Sequence, residues 1–383
     1  MDVRQVQFYQ LELDESLLEP LQRIDPMLVL VFADKHYFLT QATLAKLLSA
    51  FPSAHCVGVS TAGEISNQGT RDGSCVVTAV RFRSGSVQTA LANVSGLGDS
   101  WQAGVEIGNA LSRPGLRALL LFAPGLAVNG SALLAGLQSV VGQEQLILGG
   151  LACESGVIRE TLVMTATGSS AHQVVAVGLY GAQLVIRCCS RGGWVPFGPL
   201  RQVTRCQGNL LLELDGEPAM DLYFRYLGEY AKEFPESGLR FPFEMYPSAT
   251  SDVSDGVIRT VLGSDPQSKG LILGGDINPE GCLRLMHVTT AKLVDGARQA
   301  ADGVLGNMAA TTPGLGLLIS CVGRKLILGE RIVEEVEAVQ NRLGRHHTVA
   351  GFYAHGEIGP IGATPSCALH NQTMTIALIG EDE

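Results

Sequence analysis

The chain has no C-x-x-C pair, although it holds nine cysteines. An odd number without paired spacing excludes a closed disulfide framework and a zinc ribbon. Cys75, Cys188, Cys189 and Cys321 lie in or beside apolar runs, the setting of reduced thiols packed as small hydrophobes. Basic excess is missing too: 27 Lys and Arg stand against 37 Asp and Glu, a formal net charge of −10, and no basic stripe offsets it. Nucleic acid and membrane surfaces are therefore excluded as main partners. Residues 1–10 lack the apolar core of a signal peptide, so a cytoplasmic protein is expected. Two charge-free stretches, 118–143 and 161–186, are long enough to cross a bilayer. The first is broken by Pro124–Gly125 and Asn129–Gly130, the second by Gly168–Ser169–Ser170, so each reads as two elements joined by a turn.

Catalytic signatures are scarce. No P-loop, dinucleotide fingerprint or C-x-x-C-H is present, and Ser60 lacks the second glycine of a nucleophile elbow. A thiol enzyme would rest on Cys153, in a turn between Gly150 and Gly156, with His172 the nearest imidazole in sequence. A cysteine with a distant histidine is too common to define a dyad, and a non-enzymatic protein is expected.

Repetition is what the chain does contain. Three times an apolar run leads through a helix-spaced stripe to a second apolar run that ends in a Gly-rich turn. The first runs are 28–32, 119–122 and 315–320. The turns are Gly58–Ser60–Gly63–Glu64, Gly149–Gly150–Cys153–Glu154 and Gly351–Tyr353–Gly356–Glu357. The connecting stripes fall at helical spacing: Leu44, Leu47, Leu48 and Phe51 after a capping Thr40; Leu133, Leu134, Leu137 and Val141 after Ser131; Ile332, Val333, Val336 and Val339 in the third copy. Helical stripes also precede the first runs, such as Trp101, Val105, Gly108 and Leu111, and Val294, Ala297, Ala301, Val304 and Met308. The expected fold is therefore α/β, built of repeated helix-strand-helix-strand units whose mixed sheets are covered by helices and arranged in two lobes. The 46 glycines, spread between apolar runs, suit tight turns rather than disorder.

A length of 383 residues suits about two domains. A turn-rich passage from Gly192 to Pro218 precedes an amphipathic helix bearing Leu222, Tyr223, Tyr226 and Leu227, which places the division at 1–215 and 216–383. Four apolar segments between 241 and 288 read as an antiparallel set, and Gly274–Gly275–Asp276 as a degenerate fourth turn.

The turns have two readings. Gly58, Gly63, Gly351 and Gly356 permit close backbone approach, for packing or for a ligand cradle that Tyr353 would join. Glu64 and Glu357 sit six residues past their leading glycines. They could cap backbone N–H groups, or grip the amino group of a small polar metabolite such as an amino acid; three similar turns favour the first role.

Several motifs together resemble the FIST sensory domain in both its N-terminal and C-terminal halves. They are Gly58-Val-Ser-Thr-Ala-Gly-Glu-Ile65, Gly208-Asn209 with Leu214-Asp-Gly-Glu-Pro-Ala219, Ser320-Cys-Val-Gly-Arg324 with Leu328-Gly-Glu330, Gly351-Phe-Tyr-Ala-His-Gly-Glu-Ile358 and His370-Asn-Gln-Thr373. The resemblance implies a ligand-sensing input module of signal transduction, and similarity to its NosP-type branch implies bound heme b, nitric oxide sensing and a partner histidine kinase; a homodimer is compatible with it. Heme needs an imidazole for iron, an apolar slot and partners for two propionates. His346, His347, His355 and His370, with Arg342 and Arg345, are the candidates. His347 is the first choice for iron and His355 the second, although His346 and His347 also follow a helix end where a cation complements the dipole.

Overall fold

The structure is a computed structural model that describes residues 1–251, 256–306, 314–362 and 364–382. Met308, assigned above to a helical stripe, lies outside the described residues.

The first repeat begins with strand β1 (Asp2–Phe8) and a short helix α1 (Glu19–Gln22). Strand β2 (Leu28–Ala33) follows, wholly apolar and wholly buried, then helices α2 (Lys35–Leu39) and α3 (Gln41–Ser49) and strand β3 (His55–Ser60). β2 and β3 pair in parallel, which requires a crossover such as α2–α3. A hairpin of β4 (Glu64–Ser66) and β5 (Gly69–Arg71) leads to β6 (Cys75–Arg81), which lies between β1 and β2 and runs antiparallel to both. Thr40 stands at the start of α3, but its hydroxyl donates back to the His36 carbonyl (2.8 Å) instead of capping the helix.

The second repeat follows the same plan: β7 (Ser86–Asn93), α4 (Ser100–Leu111), β8 (Leu116–Ala123), α5 (Gly130–Val141), β9 (Leu146–Leu151), the hairpin β10 (Val163–Thr165) and β11 (Gly168–Ser170), and β12 (Gln173–Tyr180). Two details differ from expectation. The helix α5 begins before Ser131, the residue from which its stripe was read, and its cap is Asn129, whose Oδ1 accepts from Ser131 N (3.0 Å) and Ala132 N (3.1 Å). On α4, Trp101 is 49 % exposed, whereas Ala103 and Ile107 are buried. Backbone contact rotates the helix: a Cβ on Gly104 would lie 2.1 Å from Leu133 O, and one on Gly136 would lie 2.1 Å from Trp101 O. Glycine alone allows that approach, and it overrides the size of the tryptophan.

The third repeat contributes β13 (Leu184–Arg191) and then, after an insert, α7 (Thr290–Leu305), β22 (Gly314–Cys321), α8 (Val322–Leu328), α9 (Ile332–Leu343), β23 (His347–Ala354), the hairpin β24 (Gly356–Pro360) and β25 (Cys367–His370), and β26 (Met374–Glu381). The insert consists of β14 (Val195–Gln207), β15 (Leu210–Leu214), β16 (Glu217–Pro218), α6 (Ala219–Leu227), β17 (Phe243–Tyr246), β18 (Val257–Arg259), β19 (Val261–Asp265), β20 (Gly270–Leu273) and β21 (Cys282–His287). Its strands form an antiparallel eight-stranded sheet with a separate core around Leu211, Tyr223, Phe243 and Leu271. The Gly274–Gly275–Asp276 turn follows an antiparallel strand of this insert, so it is not a fourth copy. Residue 215 falls in the turn between β15 and β16.

The repeats exchange hairpins in a closed cycle. β3 of the first takes β10 of the second, β9 of the second takes β24 of the third, and β23 of the third takes β4 of the first. No repeat completes its six-stranded sheet alone. The central core is shared likewise: the Phe32 and Phe352 rings lie 4.8 Å apart, and Phe122 lies 6.0 and 6.2 Å from them. Cys188 packs on this core while Cys189 faces the one beneath α7, as alternation along a strand requires.

Candidate functional site

The parallel pair β8–β9 ends at Ala123 and Leu151, and α5 begins nearby at Gly130. Carboxyl ends of parallel strands are where open α/β sheets take ligands. His355 crosses from the third repeat to this point: its N–H donates to Leu151 O (3.0 Å), and its ring lies over Gly125, where an added Cβ would sit 3.3 Å from the imidazole Cγ and 2.3 Å from Ala152 O. The insert supplies the opposite wall through Asn209, Leu262 and the 273–276 turn. Between them is a cavity of about 180 Å³.

Its polar groups come from three parts of the chain. Asn129 Nδ2 donates to both carboxylate oxygens of Asp276 (3.1 and 3.2 Å), tying the second repeat to the insert. Behind Asp276 lies Arg259, only 4 % exposed, which donates to Asp276 O (3.1 Å) and Leu369 O (2.8 Å). Burial pushes this guanidinium down to about 10, while the Asp276 charge acts in the opposite direction. His355 is the exception to this satisfied network. Its Nδ1 is buried with no partner among the described residues, and burial lowers its pKa, so the ring is neutral near pH 7. Asn129, Arg259 and Asp276 were not named as site residues from the sequence, although Asn129 and Asp276 were read as parts of turns. Asn129–Gly130 before an apolar helical stripe is a readable cap signal, whereas nothing local marks Arg259.

The glycine turns lie deeper. Parallel register aligns Gly58, Gly149 and Gly351 opposite Val31, Leu121 and Leu318. A Cβ at each would lie 2.2, 1.9 and 1.9 Å from the facing carbonyl oxygen. Gly63 has φ 139°, and its carbonyl accepts from Tyr353 N (2.9 Å) across the junction of first and third repeats. Gly356 opens β24 beside Leu369 and Leu151, and Tyr353 is fully buried. Glu64 and Glu357 are also fully buried. Glu64 accepts from the N–H and hydroxyl of Ser74 (2.8 and 2.7 Å) and from the Thr61 hydroxyl. Glu357 accepts the same two groups of Thr373 (3.0 and 2.9 Å). Ser74 and Thr373 each immediately precede the return strand of their repeat, so both carboxyls clamp equivalent strand starts. Glu154 instead holds its own loop through Arg159 N and Glu160 N (3.0 Å to the latter) and pairs with Lys35.

Burial pushes Glu64 up to about 7 and Glu357 up to about 8, against the hydrogen bonds that lower them. Unfolded glutamate titrates near about 4.3, so between that value and 7–8 the native state holds protons that the unfolded chain releases. The stabilising contribution is complete below the unfolded value and is lost as pH rises through the folded ones. The Glu64→Gln/Glu357→Gln variant, which mimics the protonated clamps, is expected to gain melting temperature relative to the parent as pH rises from about 5 to about 8. An unchanging difference across that range would remove carboxyl protonation from the account.

The histidine cluster expected from sequence is dispersed. His347 opens the extended β23 and His355 follows its last residue, which puts them roughly 26 Å apart at about 3.3 Å per residue. His370 is buried with Nε2 against Gly359 O (3.2 Å) and Pro360 O (3.1 Å), and burial followed by the Arg259 charge pushes it down to about 4. His346 and Arg345 are exposed, and Arg342 pairs with Asp302. His347 Nδ1 meets Leu343 O (2.8 Å) at the end of α9, beside a cavity of about 440 Å³ lined largely by polar groups, Asn67, Gln340, Asn341 and Arg345 among them. A porphyrin needs an apolar slot with cations at its edge. The His347 cavity lacks the first, and the His355 cavity is small and has no Lys or Arg lining it among the described residues. The residues present do not fit heme at either place. Cys153 is fully buried with its thiol pushed up to about 12 by burial, and His172 is exposed, so the thiolate a nucleophile needs is suppressed.

The scaffold is a cyclic α/β assembly with a recess of about 180 Å³ at an internal seam. Residues 27–217 match the FIST N domain and residues 219–360 the FIST C domain, and the chain belongs to the FIST family, whose domains are ligand-sensing signalling domains. Uncharacterized proteins of Mycobacterium bovis and Mycobacterium tuberculosis are 29 % and 30 % identical to it over 222 and 216 residues. The chain spans about half the length of these relatives, 55 % of each. Among solved structures, a cyanuric acid hydrolase from A. caulinodans aligns over 100 % of this chain and 99 % of its own, with 10 % identity and a TM-score of 0.43. No helix among the described residues is long and apolar enough to cross a membrane.

Proposed function

We propose that this FIST protein senses a small molecule held in the cavity between His355, the start of α5 and the insert, and reports its occupancy to a separate signalling protein by contact. The observation that carries the reading is the neutral, unpartnered imidazole of His355 at a seam where the second repeat, the third repeat and the insert all contribute walls. A ligand bonded to that ring would bias how the insert rests on the ring of repeats, and a partner that distinguishes the two arrangements would read the result. The Asn129–Asp276 hydrogen bonds are the direct link that such a bias would load. Heme, nitric oxide sensing and a histidine kinase partner draw no comparable support, because the recess where His347 and Arg345 meet lacks an apolar slot and the His355 cavity lacks a cation.

The test is a melting-temperature screen of small metabolites, hemin included, against the parent protein and His355→Ala. A ligand at a hundred times its Kd stabilises by about 2.7 kcal/mol, enough to move a melting curve measurably. At least one small compound is expected to stabilise the parent and lose that effect in His355→Ala. Stabilisation of both proteins alike, or a Soret band from hemin that His355→Ala leaves unchanged, would defeat the proposal.

A further inference from the structure

The cavity's lining narrows the chemistry of its ligand, an inference that rests on the reading of the site given above. Aliphatic side chains dominate the walls, with Val128, Leu151, Leu273 and Leu369 inside and Leu97 and Leu262 at the opening. These last two are 58 % and 48 % exposed, one on the second repeat and the other on the insert. No Lys or Arg side chain lines the cavity among the described residues, so a ligand carboxylate would find no cation. The start of α5 offers no substitute, because the Asn129 side chain already accepts from Ser131 N and Ala132 N. An ammonium would meet a single carboxylate, Asp276, which already accepts from Asn129 and whose charge is opposed by the buried Arg259 nearby. A charge taken from water into such a place is costly unless it is paired there.

His355 supplies the complementary half of the argument. A neutral imidazole is one donor and one acceptor, and neither ring nitrogen has a hydrogen-bond partner among the described residues. The group that satisfies both nitrogens without charge is itself a donor and an acceptor, as a primary amide or an alcohol is. At about 180 Å³ the space is below the roughly 300–1,000 Å³ of drug-sized sites, so only a short chain fits. We infer that the ligand is an uncharged, short aliphatic molecule bearing one amide or hydroxyl group, with that group on His355 and its aliphatic part between Leu97 and Leu262. A zwitterionic amino acid is disfavoured at this site by the same reasoning.

Four probes that share an isobutyl group and differ in the polar end test this: isovaleramide, isovalerate, isoamylamine and leucine, titrated calorimetrically into the parent protein. Isovaleramide is expected to bind at least tenfold more tightly than the other three. His355→Ala and Leu262→Asn should each weaken it tenfold or more, whereas Leu326→Asn, on the exposed face of α8, should leave it unchanged; the melting temperature of each unliganded variant checks its folding. Binding of isovalerate, isoamylamine or leucine as tightly as the amide, with loss in His355→Ala, overturns the ligand class and leaves the site standing. Absence of binding by isovaleramide also overturns the class, and only failure of the wider His355-dependent screen removes the site itself.

Discussion

Arg324→Leu is expected to destabilise the protein by about 3–5 kcal/mol, the cost of leaving one partner of a buried ion pair uncompensated. Arg324 and Glu335 are both fully buried, with Nε and Nη2 of the guanidinium 2.8 and 2.6 Å from one carboxylate oxygen. The remaining donors reach Gly192 O (2.6 Å), Gln372 O (3.2 Å) and Leu293 O (2.8 Å), so this side chain joins β13, the start of α7 and the lead into β26. Glu335 also accepts from the Ser320 hydroxyl (3.0 Å) and the Tyr353 hydroxyl (3.3 Å). Folded domains are stable by only about 5–15 kcal/mol, so the single variant should shift the urea midpoint far or fail to accumulate. Arg324→Met combined with Glu335→Leu removes both charges and should recover much of the loss. A single variant within about 1 kcal/mol of the parent would mean that solvent reaches the pair, since exposed ion pairs are worth no more than that.

Phe352→Ala should cost a similar amount, about 3–5 kcal/mol, because it empties part of a close-packed centre. Its ring fills the space beside Phe32 and Phe122, where one aromatic from each repeat meets the other two. Since the hairpin exchange leaves each six-stranded sheet dependent on a neighbour, the loss should be felt by the whole ring. Urea unfolding followed by the fluorescence of Trp101 in the second repeat and Trp194 beyond β13, and by circular dichroism, should therefore show one coincident, displaced transition. Separate transitions would show that the repeats fold independently.

The copied strands and their glycine turns were legible because apolar runs, helical spacing and Gly-rich stops are local signals. Which strand each hairpin joins was not, since periodicity carries no information about a partner more than a hundred residues away. The α4 stripe was misplaced for a related reason: Trp101 carries far more side-chain surface than Gly104, yet the backbone contact with α5 determines which face is buried. The histidines failed through geometry. Proximity in sequence gave His347 and His355 the look of a cluster, and the extended strand between them pulls them apart. Glu335 could not have been found at all, because its carboxylate sits beside Val336 in an ordinary amphipathic pattern and is explained only by Arg324, brought against it by the fold. His355 was legible as a turn residue at a strand mouth; its wall mates Asn209, Leu262 and Asp276 come from an insert whose docking leaves no mark in the sequence.

The most direct trial of the account is a crystal structure of the protein grown with the most stabilising compound from the screen. The account predicts density for that compound against the His355 imidazole, between Gly125 and the 273–276 turn. Density placed elsewhere, at the polar recess beside His347 for example, with the His355 cavity closed or filled only by water, would contradict it.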